Sequence, residues 1–259
     1  MTTMAAESSV PQAPLLAERR EAVLVLTMNR PDARNALNVA TRQAIIAAAE
    51  QADADESVAA VVLTGTDPAF SAGVDLKEAL SPNAPRGVRS LNPAATLRAM
   101  TKPVIAAVNG VCVTGALEVM LSCSFAVASE HARFGDTHAK VGLTPGWGGS
   151  VLLPRAVGVA WARRLSGTGE VVGAETGLRI GLVTEVVPHE RLLSRAVELA
   201  TAISKVDSAA LAATYRMYER GDGIPAADAF ALEREIGRER RLDPKDMTRR
   251  FSAAAGGST

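Results

Sequence analysis

Apolar positions along the chain fall into short runs separated by polar, Gly- and Pro-containing breaks, and the runs alternate between two kinds of spacing. Residues 21–28 (EAVLVLTM) are nearly all apolar and read as a buried strand, closed by Asn29-Arg30-Pro31. Residues 39–52 are Ala-rich with apolar positions at helical spacing, which predicts a helix. Residues 58–64 are β-branched and apolar and are stopped by Gly65 and Asp67-Pro68, completing a βαβ unit. Further strands are expected at 103–108, 124–128 and 182–187, with a short extended piece around Phe134. Helices are expected at 115–122, 151–166, 174–180, 191–204, 209–220 and 226–240. Repeated β–α units followed by helices alone predict an α/β core with a C-terminal helical region.

The breaks suggest an organisation. Residues 1–20 lack a basic start followed by an apolar segment, so a disordered leader is expected rather than a signal peptide. Residues 21–190 are expected to form the core, and 191–250 a helical region that packs on it or on a neighbouring subunit. Residues 252–259 are small and polar, and 251–259 are expected to be a disordered tail. The polar, Pro-rich stretch 81–93 is too long for a tight turn and is expected to be a mobile loop over a site.

Composition narrows the partners. The 259 residues include 28 Lys+Arg and 28 Asp+Glu, a formal net charge of +0. That balance gives no electrostatic reason to favour nucleic acid or an anionic membrane, and 3% aromatics argues against a base-stacking platform. No apolar run approaches the ~20 residues that span a bilayer. With no export signal either, the expected compartment is the cytoplasm. Cys112 and Cys123 are too few for a disulfide framework and lack metal-ligand spacing, so no metal site is expected.

Two glycine-containing segments could carry chemistry. One is 69–77 (AFSAGVDLK), after the strand ending near Thr64; the other is 109–118 (NGVCVTGALE), after the strand ending at Val108. Both lie beyond the carboxyl ends of predicted strands, where open α/β sheets hold ligands. Backbone N–H groups at a helix start are unpaired and sit at the positive end of the macrodipole, and two of them pointing together can hold an oxyanion. Neither segment matches a phosphate-cradling or dinucleotide fingerprint.

Four segments together resemble a family. Residues 29–37 (NRPDARNAL), 69–77 (AFSAGVDLK), 102–110 (KPVIAAVNG) and 142–150 (GLTPGWGGS) resemble, in order and spacing, signatures of the crotonase (enoyl-CoA hydratase/isomerase) superfamily. The resemblance runs from about Glu21 to about Arg241. It implies the crotonase-like fold of repeated ββα units and a CoA thioester ligand. The reaction implied is enoyl-CoA hydration: addition of water to the C2=C3 bond of a 2-enoyl-CoA. No resident cofactor is implied, since coenzyme A arrives as part of the substrate. The implied assembly is a homotrimer or a dimer of trimers.

Residue by residue, the resemblance implies that the N–H groups of Val74 and Gly115 donate to the thioester oxygen. Arg34, Ala36, Ala72, Asp75, Leu76 and Lys77 match positions that line coenzyme A, although Arg34 and Lys77 are also readable as solvated surface cations. Trp147 is either an acyl-pocket wall or a packed core indole. Only the middle glycine of the family's glycine run is kept in Thr114-Gly115-Ala116. The backbone at Thr114 is therefore expected to avoid conformations reserved for glycine. Glu118 matches the first catalytic glutamate; the alternative for a carboxylate among Leu117, Val119 and Met120 is an ion pair with a core arginine. His138 stands where the second glutamate is expected. An imidazole suits acid–base work near neutrality, but a hydrogen-bonding role in the pocket or service in another CoA-ester reaction also fits. Asp136 could orient that imidazole or supply the carboxylate itself. His131 and His189 match no motif and read as surface residues. Rival readings are a 3-enoyl to 2-enoyl isomerase, an acyl-CoA thioester hydrolase and a non-catalytic acyl-CoA binder.

Overall fold

The structure is a computed structural model that describes residues 12–81, 91–239 and 244–256. They form two compact units that divide after Val206. The first unit runs β1 (Leu15–Arg20), β2 (Val23–Met28), α1 (Val39–Ala54), β3 (Ala60–Gly65), β4 (Ala69–Ser71), α2 (Leu76–Ala79), α3 (Pro93–Ala99), β5 (Val104–Val108), β6 (Val111–Val113) and α4 (Gly115–Leu121). It continues with β7 (Phe125–Ser129), β8 (Arg133–Gly135), α5 (Gly149–Thr168), β9 (Val172–Gly173), α6 (Ala174–Arg179), β10 (Glu185–Val187) and α7 (Leu192–Ser204).

Two sheets result. The larger has the order β1-β2-β3-β5-β7-β10, and the smaller β4-β6-β8-β9. In the larger sheet β2 to β10 run parallel, and β1 closes the edge antiparallel to β2. The pairs β3-β4, β5-β6 and β7-β8 each send one strand to each sheet before a helix follows, which is the expected ββα repeat. β3 (AVVLTG) and β5 (VIAAV) are buried along their whole length, as parallel strands covered on both faces must be. On one face α7 lays Leu192, Ala196 and Ala200 against Val23, Val25, Val62 and Ile105. The small Ala side chains let that helix approach closely. The other face, with Leu26, Leu63 and Ala106, joins a core that includes Ile45, Phe70, Leu117 and Phe134.

Several expectations need correction. The expected leader 1–20 contains a strand: Leu15–Arg20 pairs residue for residue with Val23–Met28. Its LLAERR sequence carries no buried alternation because it is an exposed edge held by backbone bonds. Residues 1–11 lie outside the described residues. The core does not end at 190, since α7 belongs to the first unit. The expected loop 81–93 is helical at its end, where Asn92 caps α3 by accepting from Ala95 N and Pro93 occupies the first turn. Residues 82–90 lie outside the described residues.

The second unit holds α8 (Ser208–Gly221), α9 (Ala226–Glu239) and α10 (Pro244–Gly256). Asp207 opens α8 by accepting from Ala210 N at 2.7 Å. α8 and α9 pack on each other, with ion pairs Arg216–Glu239 and Arg220–Glu235 across them. The expected disordered tail 251–259 is helical through Gly256.

Candidate active site

The site begins with a backbone staple. The loop after β2 turns through Arg34 (φ +48°) and Asn35 (φ +54°), a left-handed pair that Asn tolerates better than most residues. The buried Asn35 side chain donates to Thr66 O and Ala69 O at 2.7 and 2.6 Å and accepts from Arg30 N at 2.8 Å. Ala72 N donates to Arg34 O, and Leu37 N to Gly73 O. The 29–37 and 69–77 segments are thereby one construction. Together they line a groove of about 990 Å³ that contains Arg34, Ala36, Ala72, Val74, Asp75, Leu76 and Lys77. Arg34 and Lys77 are exposed there. The Asp75 carboxylate is committed locally, accepting from Glu78 N as the cap of α2 and pairing with Arg30 at 3.0 Å. Arg30, which also donates to Ala36 O, lines the same groove and was given no role from sequence.

Val74 forms an isolated parallel bridge with Leu37. In that geometry Leu37 bonds the flanking residues Gly73 and Asp75, so Val74's own N–H points the other way. The opposite side is occupied by the start of α4. A Cβ on Gly115 would lie 3.1 Å from Val74 Cγ2 and 3.0 Å from Trp147 Cζ3, so glycine is what lets these segments meet. Among the described residues neither Val74 N nor Gly115 N finds a backbone acceptor. Thr114, just before, has φ +56° and ψ −124°. This overturns the expectation that it avoids glycine's territory. Its N–H bonded to Gly135 O and its hydroxyl 2.7 Å from Thr137 Oγ1 hold it in that strained conformation.

Glu118 lies one turn into α4 and is 3% exposed. Its partners are not a core arginine. Oε1 accepts backbone N–H bonds from Trp147 (2.7 Å) and Gly149 (2.9 Å), where the 142–150 segment enters α5. Oε2 lies 3.4 Å from His138 Nε2. His138, also buried, has Nδ1 2.7 Å from Asp136 Oδ1. The other oxygen of Asp136 accepts the Ser166 hydroxyl from α5. Burial disfavours a charged imidazole, but the bonds to Asp136 and Glu118 outweigh it, and the pKa of His138 rises to about 9. The bond from His138 in turn holds the Asp136 carboxyl below its ordinary range, against the opposing effect of burial. His138 is therefore an imidazolium at neutral pH, with one carboxylate on each ring nitrogen. Beside the pair is an enclosed cavity of about 10 Å³, the room needed by one water, with Thr114, Leu117 and Leu153 in its wall.

Trp147 is half-buried, packed against the core, with the Arg42 guanidinium 5.9 Å from its ring centroid. Of the two unmatched histidines, His131 is exposed. His189 is not simply a surface residue, since it joins Ser129 Oγ at 2.9 Å to Asp67 Oδ2 at 3.1 Å.

The profile of the enoyl-CoA hydratase/isomerase family matches residues 18–239. The chain belongs to this family. A 2,3-dehydroadipyl-CoA hydratase from Escherichia coli is 35% identical over 224 residues, covering 86% of this chain and 88% of the relative. An enoyl-CoA hydratase structure from Mycobacterium avium is 46% identical with a TM-score of 0.72, covering 87% of this chain and 95% of that one. One from Bacillus anthracis is 27% identical with a TM-score of 0.87, covering 93% and 96%. Within this family chain, the six residues expected at coenzyme A share one groove, and Glu118 and His138 are in contact. Trp147 reaches Gly115 with its ring and Glu118 with its backbone N–H. Ser166 was invisible from sequence, because only folding carries it to Asp136 from another element.

Proposed function

We propose that the chain adds water across the C2=C3 bond of a 2-enoyl-CoA thioester to give the 3-hydroxyacyl-CoA, with Glu118 and His138 as its acid–base pair. The observation that carries this reading is the Glu118–His138 contact beside a cavity of one-water size. Glu118, its Oε1 tied to two backbone N–H groups, takes a proton from water through the oxygen left over. The water oxygen bonds to C3, and the C2=C3 electron pair moves toward the thioester oxygen. The N–H groups of Val74 and Gly115 stabilise the oxyanion; one such donor is typically worth ~10²–10³ in rate. The enolate then takes a proton at C2 from the His138 imidazolium. Glu118 is left protonated and His138 neutral, and transfer across their contact resets both.

The groove beside Arg34, Ala36, Ala72, Asp75, Leu76 and Lys77 holds the coenzyme A portion, with Arg34 and Lys77 supplying local positive charge that the overall balance does not. Leu76 and Ala72 offer apolar contact to the pantetheine arm, and Trp147 walls the acyl side. The reaction so written needs no metal or redox cofactor. We place the active form in the cytoplasm as a homotrimer or a dimer of trimers; among the described residues no helix is long and apolar enough to cross a membrane. The test is turnover of crotonyl-CoA and longer 2-enoyl-CoA esters by wild type, Glu118→Gln and His138→Ala. Hydration by the wild type that is lost in both variants supports the proposal. Absence of hydration by the wild type, or full activity in His138→Ala, overturns it.

A further inference from the structure

We propose that Asp136, braced by the Ser166 hydroxyl, is a positioning residue that fixes His138 with Nδ1 turned away and Nε2 held beside Glu118 as the proton donor to the substrate. This rests on the assignment of His138 to acid–base work and adds the residues that equip it for that work.

The geometry requires more than simple proximity. Asp136 follows β8 directly, and its Oδ1 accepts twice from one residue: from the His138 backbone N–H at 3.3 Å and from Nδ1 at 2.7 Å. The first bond sets where the chain turns, and the second sets which way the ring faces. The second oxygen, Oδ2, is taken by Ser166 on α5, so the carboxylate cannot rotate without losing a partner on another element. α5 is itself interrupted at Gly158 (φ +76°), and Ser166 lies on the stretch beyond the break. Asp136 and His138 are 5% and 6% exposed, so water does not compete for either.

The chemistry follows from the ring. An imidazole has two inequivalent nitrogens, and the bond at one decides what the other can do. With Nδ1–H given to a carboxylate, Nε2 is the nitrogen left to exchange protons. The charged and titratable groups facing His138 are Asp136 from the segment after β8 and Glu118 from α4; the surrounding wall is otherwise Thr114, Leu117, Leu121, Pro145, Gly149 and Leu153. A ring between two carboxylates holds its second proton, which is the proton that C2 needs. An imidazole needs a fixed counter-charge behind it, and Asp136 is that counter-charge. The high pKa of His138 agrees with this placement.

The experiment compares wild type, Asp136→Asn and Ser166→Ala as full-length proteins. One arm follows hydration kinetics on crotonyl-CoA from pH 6 to 10. The other follows the His138 imidazole by NMR titration without substrate. Asp136→Asn should lower kcat by roughly 10²-fold or more, with KM changed by less than about threefold. Its alkaline limb of kcat and its imidazole titration should both move down by at least about one pH unit from a wild-type value near 9. Ser166→Ala should show the same shifts at smaller size, and it reports on the device if Asp136→Asn does not fold. A folded Asp136→Asn, or failing that Ser166→Ala, with an unmoved imidazole titration overturns the proposal even where kcat has dropped, because a merely structural role lowers activity without moving that titration. If the wild type shows no hydration, the acid–base assignment fails on its own, and the NMR arm still decides the positioning claim.

Discussion

Glu118 meets His138 through one oxygen only: Oε2 faces Nε2 at 3.4 Å, while Oε1 is held by the N–H groups of Trp147 and Gly149. The carboxylate is thus anchored on one side and faces the His138 ring on the other. Glu118→Gln should keep the anchor, since its amide oxygen can accept both N–H bonds. The amide nitrogen then faces the His138 imidazolium, donor against donor. Loss of a general base typically removes ~10²–10⁴ in rate. The expected result is a kcat reduced by that amount in a protein that still folds, with a melting temperature lowered by the lost counter-charge to His138. A kcat within threefold of wild type in steady-state hydration would contradict the assigned role.

His138 ties stability to pH and, under the proposed mechanism, activity as well. Its pKa is raised from 6.5 to about 9 in the folded protein. A raised pKa stabilises the fold fully below the unfolded value, and this contribution is lost as pH climbs through the folded value. A shift of this size corresponds to on the order of 3 kcal/mol. Urea denaturation between pH 6 and 10 should show the wild type losing stability across that window by more than His138→Gln does. The kcat profile should fall over the same range as the imidazolium loses its proton. Parallel stability curves for the two proteins would refute the linkage.

The sequence carries the framework of this arrangement but not its contacts. β3 and β5 could be read because their residues are apolar without interruption, the mark of strands buried on both faces. β4 and β6 have three residues each and β9 two, too short to show any period, and β4 and β6 lie inside the two glycine-containing segments. β1 was missed for the opposite reason: an exposed edge strand needs only its backbone. Motif order brought the groove residues and both members of the Glu118–His138 pair to notice. Ser166 escaped because a side-chain encounter between separate elements has no local spacing. Thr114 shows the limit of propensity, since its neighbours impose a backbone that its residue type disfavours.

Gly115 sits where a side chain has almost no room. A Cβ would come within 3.0 Å of Trp147 Cζ3 and 3.1 Å of Val74 Cγ2. Gly115→Ala should push the ring and the Val74 segment apart by a few tenths of an ångström, pulling the two N–H groups out of alignment. Since a full donor is worth ~10²–10³, partial misalignment should cost roughly tenfold or more in kcat/KM. Steady-state kinetics beside a thermal melt separates this from unfolding. Unchanged kcat/KM would show that the two N–H groups do not act together.

Arg34 tests the groove. It is exposed, it lies on a left-handed turn, and it lines the cavity with Lys77. Removing one cation from a solvated phosphate contact is worth about 0.2–1 kcal/mol, at most roughly fivefold in affinity. Arg34→Ala should therefore raise KM for a 2-enoyl-CoA by about two- to fivefold and leave kcat unaltered. The difference from wild type should shrink as salt is raised, because exposed charges are screened. A variant whose KM matches wild type at low salt would remove Arg34 from the binding site.

Thr114 offers the sharpest test of backbone strain. At φ +56° and ψ −124° a Cβ is costly, on the order of 1–3 kcal/mol. At an ordinary position glycine is less stable than alanine by ~0.5–1 kcal/mol, because it loses more freedom on folding. Here that order should reverse. Thr114→Ala and Thr114→Gly both lose the hydroxyl contact with Thr137, so they differ chiefly in the Cβ. The glycine variant should be the more stable by about 1 kcal/mol, which for a chain of this size is a few degrees in melting temperature. The alanine variant should also fall below wild type, having kept the strain and lost the bond that helps hold it. Calorimetry on the three proteins decides the matter: an alanine variant at least as stable as the glycine one would mean that Thr114 carries no such strain, and that Gly115 enters α4 from a relaxed backbone.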